Sequence, residues 1–196
     1  MSNPQIIVLS GPSGVGKDTV IHKLRLQNHR RHFIITATTR QPRAGEQDGV
    51  DYHFLTETTF QKMVNDGEFL EWAKVYDNWY GVPKQAVKQG LVENKDVIIK
   101  VDVQGAATIK KLVPQAILIF ITTPSHEELI RRLSRRGTET DTELRLRIAR
   151  AQEELEKLEI FDYIVINHEN QVDATVAEID NIIEYKKTKR HTKIVL

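Results

Sequence analysis

The stretch S-G-P-S-G-V-G-K-D-T at positions 10–19 sets glycines at 11, 14 and 16 directly before a lysine. Glycine adopts positive φ without a Cβ penalty and lets phosphate oxygens approach backbone N–H groups. The spacing Gly11-x-x-x-x-Gly16-Lys17 is that of a phosphate-binding loop, with the Lys17 amine as a point charge for β and γ phosphates. An apolar run, Q-I-I-V-L-S at 5–10, precedes it, and a helical pattern with Val20, Ile21 and Leu24 follows. That strand–loop–helix context separates a phosphate site from an ordinary glycine turn, and the helix would aim its positive end at the same anion. The position after Lys17 normally carries the Ser or Thr hydroxyl that binds the nucleotide's magnesium. Here it is Asp18.

Four further constellations have usable chemistry. Arg40 and Arg43 flank Pro42, and two guanidinium forks can clamp one phosphate dianion, with Tyr52 and Tyr80 as phenol donors. Glu71 interrupts an apolar strand pattern in F-L-E-W-A. A buried carboxylate needs donors, and the adjacent N1–H and N2–H₂ of a guanine would supply two. Lys100 and Asp102 share one face of the run ending K-V-D-V-Q-G, where an acid near the end of a parallel strand can hold magnesium or its water shell. Arg132, Arg136 and Arg147 form an arginine set suited to the charge of a phosphoryl group in transfer. Arg131, Arg135, Arg145 and Arg150 read better as solvated helix residues.

These residues need a frame. Apolar runs at 5–10, 33–39, 97–103, 116–123 and 163–167 alternate with helical patterns, which predicts a parallel α/β sheet. Two segments break the alternation. Residues 40–89 predict a small α+β insertion, with strands in D-Y-H-F-L and F-L-E-W-A-K-V-Y around a helix in T-E-T-T-F-Q-K-M-V-N-D-G. Residues 125–159 are helical and rich in arginine, with capping-box spacings Ser125-x-x-Glu128 and Thr140-x-x-Glu143. A last helix over 172–189 presents Val176, Ile179, Ile182 and Ile183 to the core. The chain has 196 residues, 40% hydrophobic and 28% charged, so one domain with an insertion accommodates all of this. Twenty-eight basic against 27 acidic residues give no case for nucleic acid or membrane surfaces, and the basic run at 186–193 reads as a helix end. Zero cysteines exclude disulfides, thiolate catalysis and cysteine metal sites. The longest apolar run, A-I-L-I-F-I, is far short of the ~20 residues of a membrane span, so a soluble cytoplasmic protein is expected.

Taken together, G-P-S-G-V-G-K, T-T-R-x-P-R-x-G-E-x-x-G-x-D-Y-x-F, E-W, Y-G, V-D-V-Q-G, R-L-x-x-R-G-T-E and F-D-Y-x-V-x-N resemble guanylate kinase, ATP:GMP phosphotransferase, from about residue 5 to 185. The resemblance implies a three-layer α/β P-loop core with a parallel sheet (1–36, 90–124 and 160–196), an inserted α+β GMP-binding subdomain at about 37–89, and a helical lid at about 125–159. By match, Gly11, Pro12, Ser13, Gly14, Val15, Gly16, Lys17, Asp18 and Thr19 would hold ATP, with Asn167 on the adenine side. Thr36, Arg40, Arg43, Tyr52, Glu71, Tyr80, Val82 and Asp102 would hold GMP. Lys17, Arg132, Arg136 and Arg147 would be catalytic, and Asp18 and Asp102 would hold the Mg²⁺ that accompanies ATP. The expected partners are the small molecules ATP and GMP, with neither nucleic acid nor membrane, in a monomer or homodimer.

The departures from the family pattern concern both substrates. The family usually carries Ser at 36 and Ser or Thr at 82; Thr36 keeps a hydroxyl, whereas Val82 cannot hydrogen-bond. It usually carries a small residue at 18 and an acid at 100, where this chain has Asp18 and Lys100. Small-plus-acid bears one negative charge and Asp-plus-Lys none. Two readings follow: Asp18 and Lys100 face each other across the nucleotide site, or Asp18 ligates magnesium directly or through water. Two other functions share parts of the pattern, a catalytically silent phosphopeptide-binding module and a ribose-bisphosphate phosphokinase with a G-K-D loop. The loop lysine and lid arginines oppose the first; Glu71 and the complete acceptor motif oppose the second.

Overall fold

The structure is a computed structural model that describes residues 3–27, 30–75, 77–135 and 141–189. Its elements in chain order begin with β1 (Ile6–Ser10), α1 (Lys17–Gln27), β2 (Arg31–Phe33), β3 (Ala37–Thr38), β4 (His53–Phe54) and α2 (Glu57–Asn65). There follow β5 (Phe69–Val75), β6 (Asn78–Pro83), α3 (Lys84–Val92), β7 (Asp96–Lys100), α4 (Val103–Leu112) and β8 (Ile117–Thr122). The chain closes with α5 (His126–Ser134), α6 (Asp141–Leu155), a 3₁₀ turn at Leu158–Ile160, β9 (Tyr163–Ile166) and α7 (Val172–Lys189).

Five parallel strands form the main sheet in the order β2-β7-β1-β8-β9. Its centre is apolar on both faces: every residue of β1 is fully buried, as a strand sandwiched between helix layers requires. Ile7, Leu9, Ile98, Ile117 and Ile119 pack with Val20, Leu24, Val176, Ile179 and Ile183 on one side. Ile6, Val8, Val97, Ile99 and Leu118 pack with Val87, Ala106 and Ile109 on the other. The register Leu9↔Lys100 and Ser10↔Phe120 brings the carboxyl ends of β1, β7 and β8 to one edge, where ligands of open α/β sheets bind.

A second sheet, in the order β4-β3-β6-β5, carries α2 and a small core of Ala37, Phe60 and Phe69. The Phe60 and Phe69 rings stack at 4.6 Å. Thr56 caps α2 by accepting from the Thr59 N–H at 3.2 Å. The apolar run at 33–39, expected as one core strand, is divided between the two sheets. Phe33 ends β2, the Ile34 N–H still donates to Ile98 O at 2.9 Å, and Ala37–Thr38 then pairs antiparallel with Tyr80 and Gly81. Hydrophobicity marks both pieces as buried but carries no information about which strand satisfies each backbone. The sequence reading also passed over β6, whose mixed residues N-W-Y-G-V-P hide its pairing with β5.

The arginine-rich segment folds as α5 and α6. Ser125 accepts from the Glu128 N–H at 3.2 Å, as the capping spacing predicts; Thr140 lies outside the described residues. Leu144, Ile148 and Leu155 seat α6 on the main core. Among the described residues no helix is long and apolar enough to cross a membrane.

Candidate active site

The glycine loop leaves β1 between the main sheet and α1, and two of its glycines are required by packing. Gly11 has φ of 140°, and a Cβ there would fall 2.0 Å from Ile121 O; Gly16 has φ of 92°, and a Cβ would fall 2.7 Å from Asn167 Nδ2. Asn167 is buried behind the loop. Its Nδ2 donates to Val15 O at 2.7 Å, and its Oδ1 accepts from Thr175 at 2.9 Å. Its amide thus shapes the loop from behind. Arg132 does the same from α5: it is held by Glu128 at 2.8 Å and donates to Asn167 O at 2.9 Å. Arg147 of α6 instead reaches the loop from the front, donating to Ser13 Oγ at 2.8 Å. Arg136 lies outside the described residues.

In front of the loop opens a cavity of about 520 Å³ that also touches the second sheet. At the loop end, Lys17 Nζ curls back to donate to Gly11 O and to Pro12 O at 2.8 Å. Burial lowers the Lys17 amine to about 8, against the opposing pull of Glu154 and Asp18. At the other end stand Arg40, Arg43, Tyr52 and Tyr80. The Arg40 guanidinium lies 5.5 Å from the centre of the Tyr52 ring, and the Tyr52 and Tyr80 rings meet edge-on at 6.1 Å. Glu46 fixes the cluster: both its oxygens accept from Arg40 Nη2, at 2.8 and 3.0 Å, and it accepts from the Arg43 N–H at 2.7 Å. Arg40 Nη1 donates to Gln41 O at 2.6 Å, so both terminal nitrogens of the guanidinium are held.

Beside that cluster, Glu71 is 4% exposed yet lines the cavity, and it lies against Gly105, where a Cβ would be 2.9 Å from Oε1. Burial first, and the nearby Asp102 second, push its carboxyl up to about 8. The cross-strand partner of Glu71 is Val82, fully buried in the apolar layer that includes Ile34 and Leu70. Thr36 is also buried and lines the same end. Asp102 caps α4 by accepting from the Gly105 N–H at 2.8 Å; burial holds its carboxyl above the usual carboxylate range, countered by that bond and by Lys17. Between the two ends, Lys100 Nζ donates to Asp18 Oδ1 at 2.8 Å.

The cavity therefore pairs a lysine-bearing glycine loop with a separate arginine–tyrosine cluster and a buried carboxyl. The guanylate kinase family model matches residues 3–186. The chain belongs to the guanylate kinase family. It is 45% identical over 184 residues to the guanylate kinase of Caldanaerobacter subterraneus subsp. tengcongensis, covering 94% of this chain and 88% of that one. It is 41% identical over 193 residues to that of Clostridioides difficile, covering 97% and 93%. A solved guanylate kinase from Anaplasma phagocytophilum superimposes with a TM-score of 0.79 at 31% identity, over 95% of this chain and 87% of that one. A shikimate kinase from Bacteroides thetaiotaomicron, at 14% identity and a TM-score of 0.50, shares the fold alone.

Two residues of this guanylate kinase site escaped the sequence reading. Glu46 is the E of the R-x-P-R-x-G-E motif but received no role there; only the folded turn sets its carboxylate against Arg40 and the Arg43 N–H. Glu154 of α6 lines the cavity near Lys17 and Asp102, and burial lifts its carboxyl to about 7. In sequence it is one of several glutamates on a helix, with no signal to separate it.

Proposed function

We propose that this guanylate-kinase-family chain transfers the γ-phosphoryl group of Mg·ATP to GMP, giving ADP and GDP, as a cytoplasmic enzyme of purine nucleotide metabolism. The single observation that carries the reading is the shared cavity, with Lys17 and the glycine loop at one end and Arg40, Arg43, Tyr52, Tyr80 and Glu71 at the other. An oxygen of the GMP phosphate attacks the γ-phosphorus, the bond to the β,γ-bridging oxygen breaks, and that oxygen leaves on ADP. No protein nucleophile is needed; positioning and charge stabilisation do the work.

ATP occupies the loop of Gly11, Pro12, Ser13, Gly14, Val15, Gly16, Lys17, Asp18 and Thr19. Lys17 exchanges its carbonyl partners for phosphate oxygens. Arg147, already at Ser13, meets the group in transit, with Arg136 of the lid assigned to the same role, while Arg132 and Asn167 serve ATP by shaping the loop from behind. GMP lies at the other end, its phosphate between Arg40, Arg43, Tyr52 and Tyr80. Its base is read by Glu71, with Thr36, Val82 and Asp102 around it. Division into core, insertion at about 37–89 and lid at about 125–159 belongs to the same reading. The donor set suits magnesium, which is usually bound by one or two carboxylates together with substrate phosphates and water. Asp102 is one such carboxylate at the cavity and Asp18, paired with Lys100 in the free protein, would be a second once that pair opens; among the described residues no larger acidic or histidine cluster offers a dedicated cage. Bound there, the ion would neutralise charge on the phosphates.

A coupled ADP-release assay with GMP, dGMP, AMP, UMP and ribose bisphosphate as acceptors tests this. Release dependent on GMP is expected. Release with ribose bisphosphate and none with GMP would overturn the assignment.

A further inference from the structure

Lys100 is placed differently from every other cation of the site. It is the last residue of β7, and the register Leu9↔Lys100 sets it one strand over from the start of the glycine loop. Its side chain is only 19% exposed, while that of its partner Asp18 is 77% exposed. Nζ also stands 4.3 Å from the centre of the Tyr52 ring. The same ring has the Arg40 guanidinium 5.5 Å from its centre and meets the Tyr80 ring edge-on. The Lys100 ammonium thus lies between the donor-phosphate end and the acceptor-phosphate end of one cavity, whose lining it joins.

We propose that Lys100 is a further catalytic residue, a second cation beside Lys17 that leaves Asp18 for the phosphoryl group as it passes from donor to acceptor. This rests on the reading of the cavity as a phosphoryl-transfer site. Three observations carry it. The side chain is mostly enclosed, and Nζ lines the cavity within reach of both Asp18 and the Tyr52 ring. Asp18 is largely solvated, and an ion pair with one solvated partner is weak, so multiply charged phosphate oxygens compete for the ammonium. Charge in phosphoryl transfer is spread over the moving group, and Lys100 stands between the two ends, whereas the Arg40 guanidinium is tied to the acceptor end through Glu46. Asp18 is then the resting partner that holds the ammonium ready.

The test compares wild-type protein with K100M and K100R, with kcat and KM measured for ATP and GMP separately. A binding measurement accompanies it, using a guanosine–adenosine pentaphosphate that fills both ends and the gap between them. Wild-type turnover with GMP decides the assigned reaction independently. Given that turnover, K100M should lose about 100-fold in kcat, the loss typical of one charge-stabilising donor, with both KM values within about threefold. K100R should keep at least about a tenth of kcat. The pentaphosphate should bind K100M far more weakly than wild type, while ADP and GMP alone bind both equally. Loss confined to KM, unchanged kcat, or unchanged pentaphosphate affinity would each overturn the proposal. If K100M does not fold, judged by its thermal transition, K100Q is held to the same criteria.

Discussion

Replacing Glu71 by Gln should make the free protein more stable and the enzyme worse. Glu71 is 4% exposed, and its carboxyl titrates near 8 instead of its ordinary 4.5 because burial and Asp102 disfavour the anion. An unfolded chain releases this proton above pH 4.5, whereas the folded one holds it until about pH 8. Stability is therefore lost as pH rises through that window, and the loss levels off above the folded value. At about 1.4 kcal/mol per unit, the cost at pH 7 is about 3 kcal/mol. Gln is isosteric and does not titrate, so the variant escapes this cost. For a chain of this size, about 3 kcal/mol corresponds to roughly 6–12 °C in melting temperature. The Gln amide is also buried, which adds an offset independent of pH, so the decisive quantity is the change between pH 5.5 and 8.5. Thermal melts of both proteins should show the gap widening to about pH 8 and then holding constant. In parallel, GMP binding to wild type should tighten as pH rises to about 8, because only the anion accepts two guanine N–H groups. The Gln variant should bind GMP about 100-fold more weakly, since its own amide donors face those of the base. A melting gap that does not vary with pH, or undiminished GMP affinity, would refute the reasoning.

Three further outcomes follow from contacts at the two ends of the cavity. Lys17→Ala should reduce turnover by at least about a thousandfold while GMP binding, read by calorimetry, stays near wild type. Gly105→Ala would place a Cβ 2.9 Å from Glu71 Oε1, so KM for GMP should rise about tenfold, with KM for ATP and the melting temperature little changed. Glu46→Ala removes the carboxylate that holds Arg40 Nη2 and the bond to the Arg43 N–H, and should raise KM for GMP about tenfold without touching ATP. Equal changes for both nucleotides in either of the last two variants would count against separate ends.

Much of the site is legible in the chain because its parts are local. The glycine loop needs its spacing of glycines and lysine wherever it occurs, and the strand before it is marked by five successive buried residues. The arginine pair around Pro42 and the Ser125 cap are likewise short-range facts, set by backbone geometry within a few residues. The roles of Glu46 and Glu154 were illegible because a carboxylate in a charged loop or on a polar helix acquires a role only from what folds against it. Lys100 and Asp18 stand between these cases. The two residue types suggest a displaced charge, yet Asp18 could equally have faced magnesium, and only the Leu9↔Lys100 register with the 2.8 Å contact selects the pair.

The sequence by itself determined the parallel core, the phosphate loop and the kind of groups each substrate would meet, because periodicity, glycine spacing and side-chain chemistry are properties of short segments. Tertiary structure alone decided that the run at 33–39 serves two sheets and that Asn167 and Arg132 brace the loop from behind. It alone set the Glu71 carboxyl in a dry wall against Gly105. Those outcomes depend on burial and on partners as far as 152 positions away, and a side chain's charge state and orientation follow from its surroundings rather than from its neighbours in the chain.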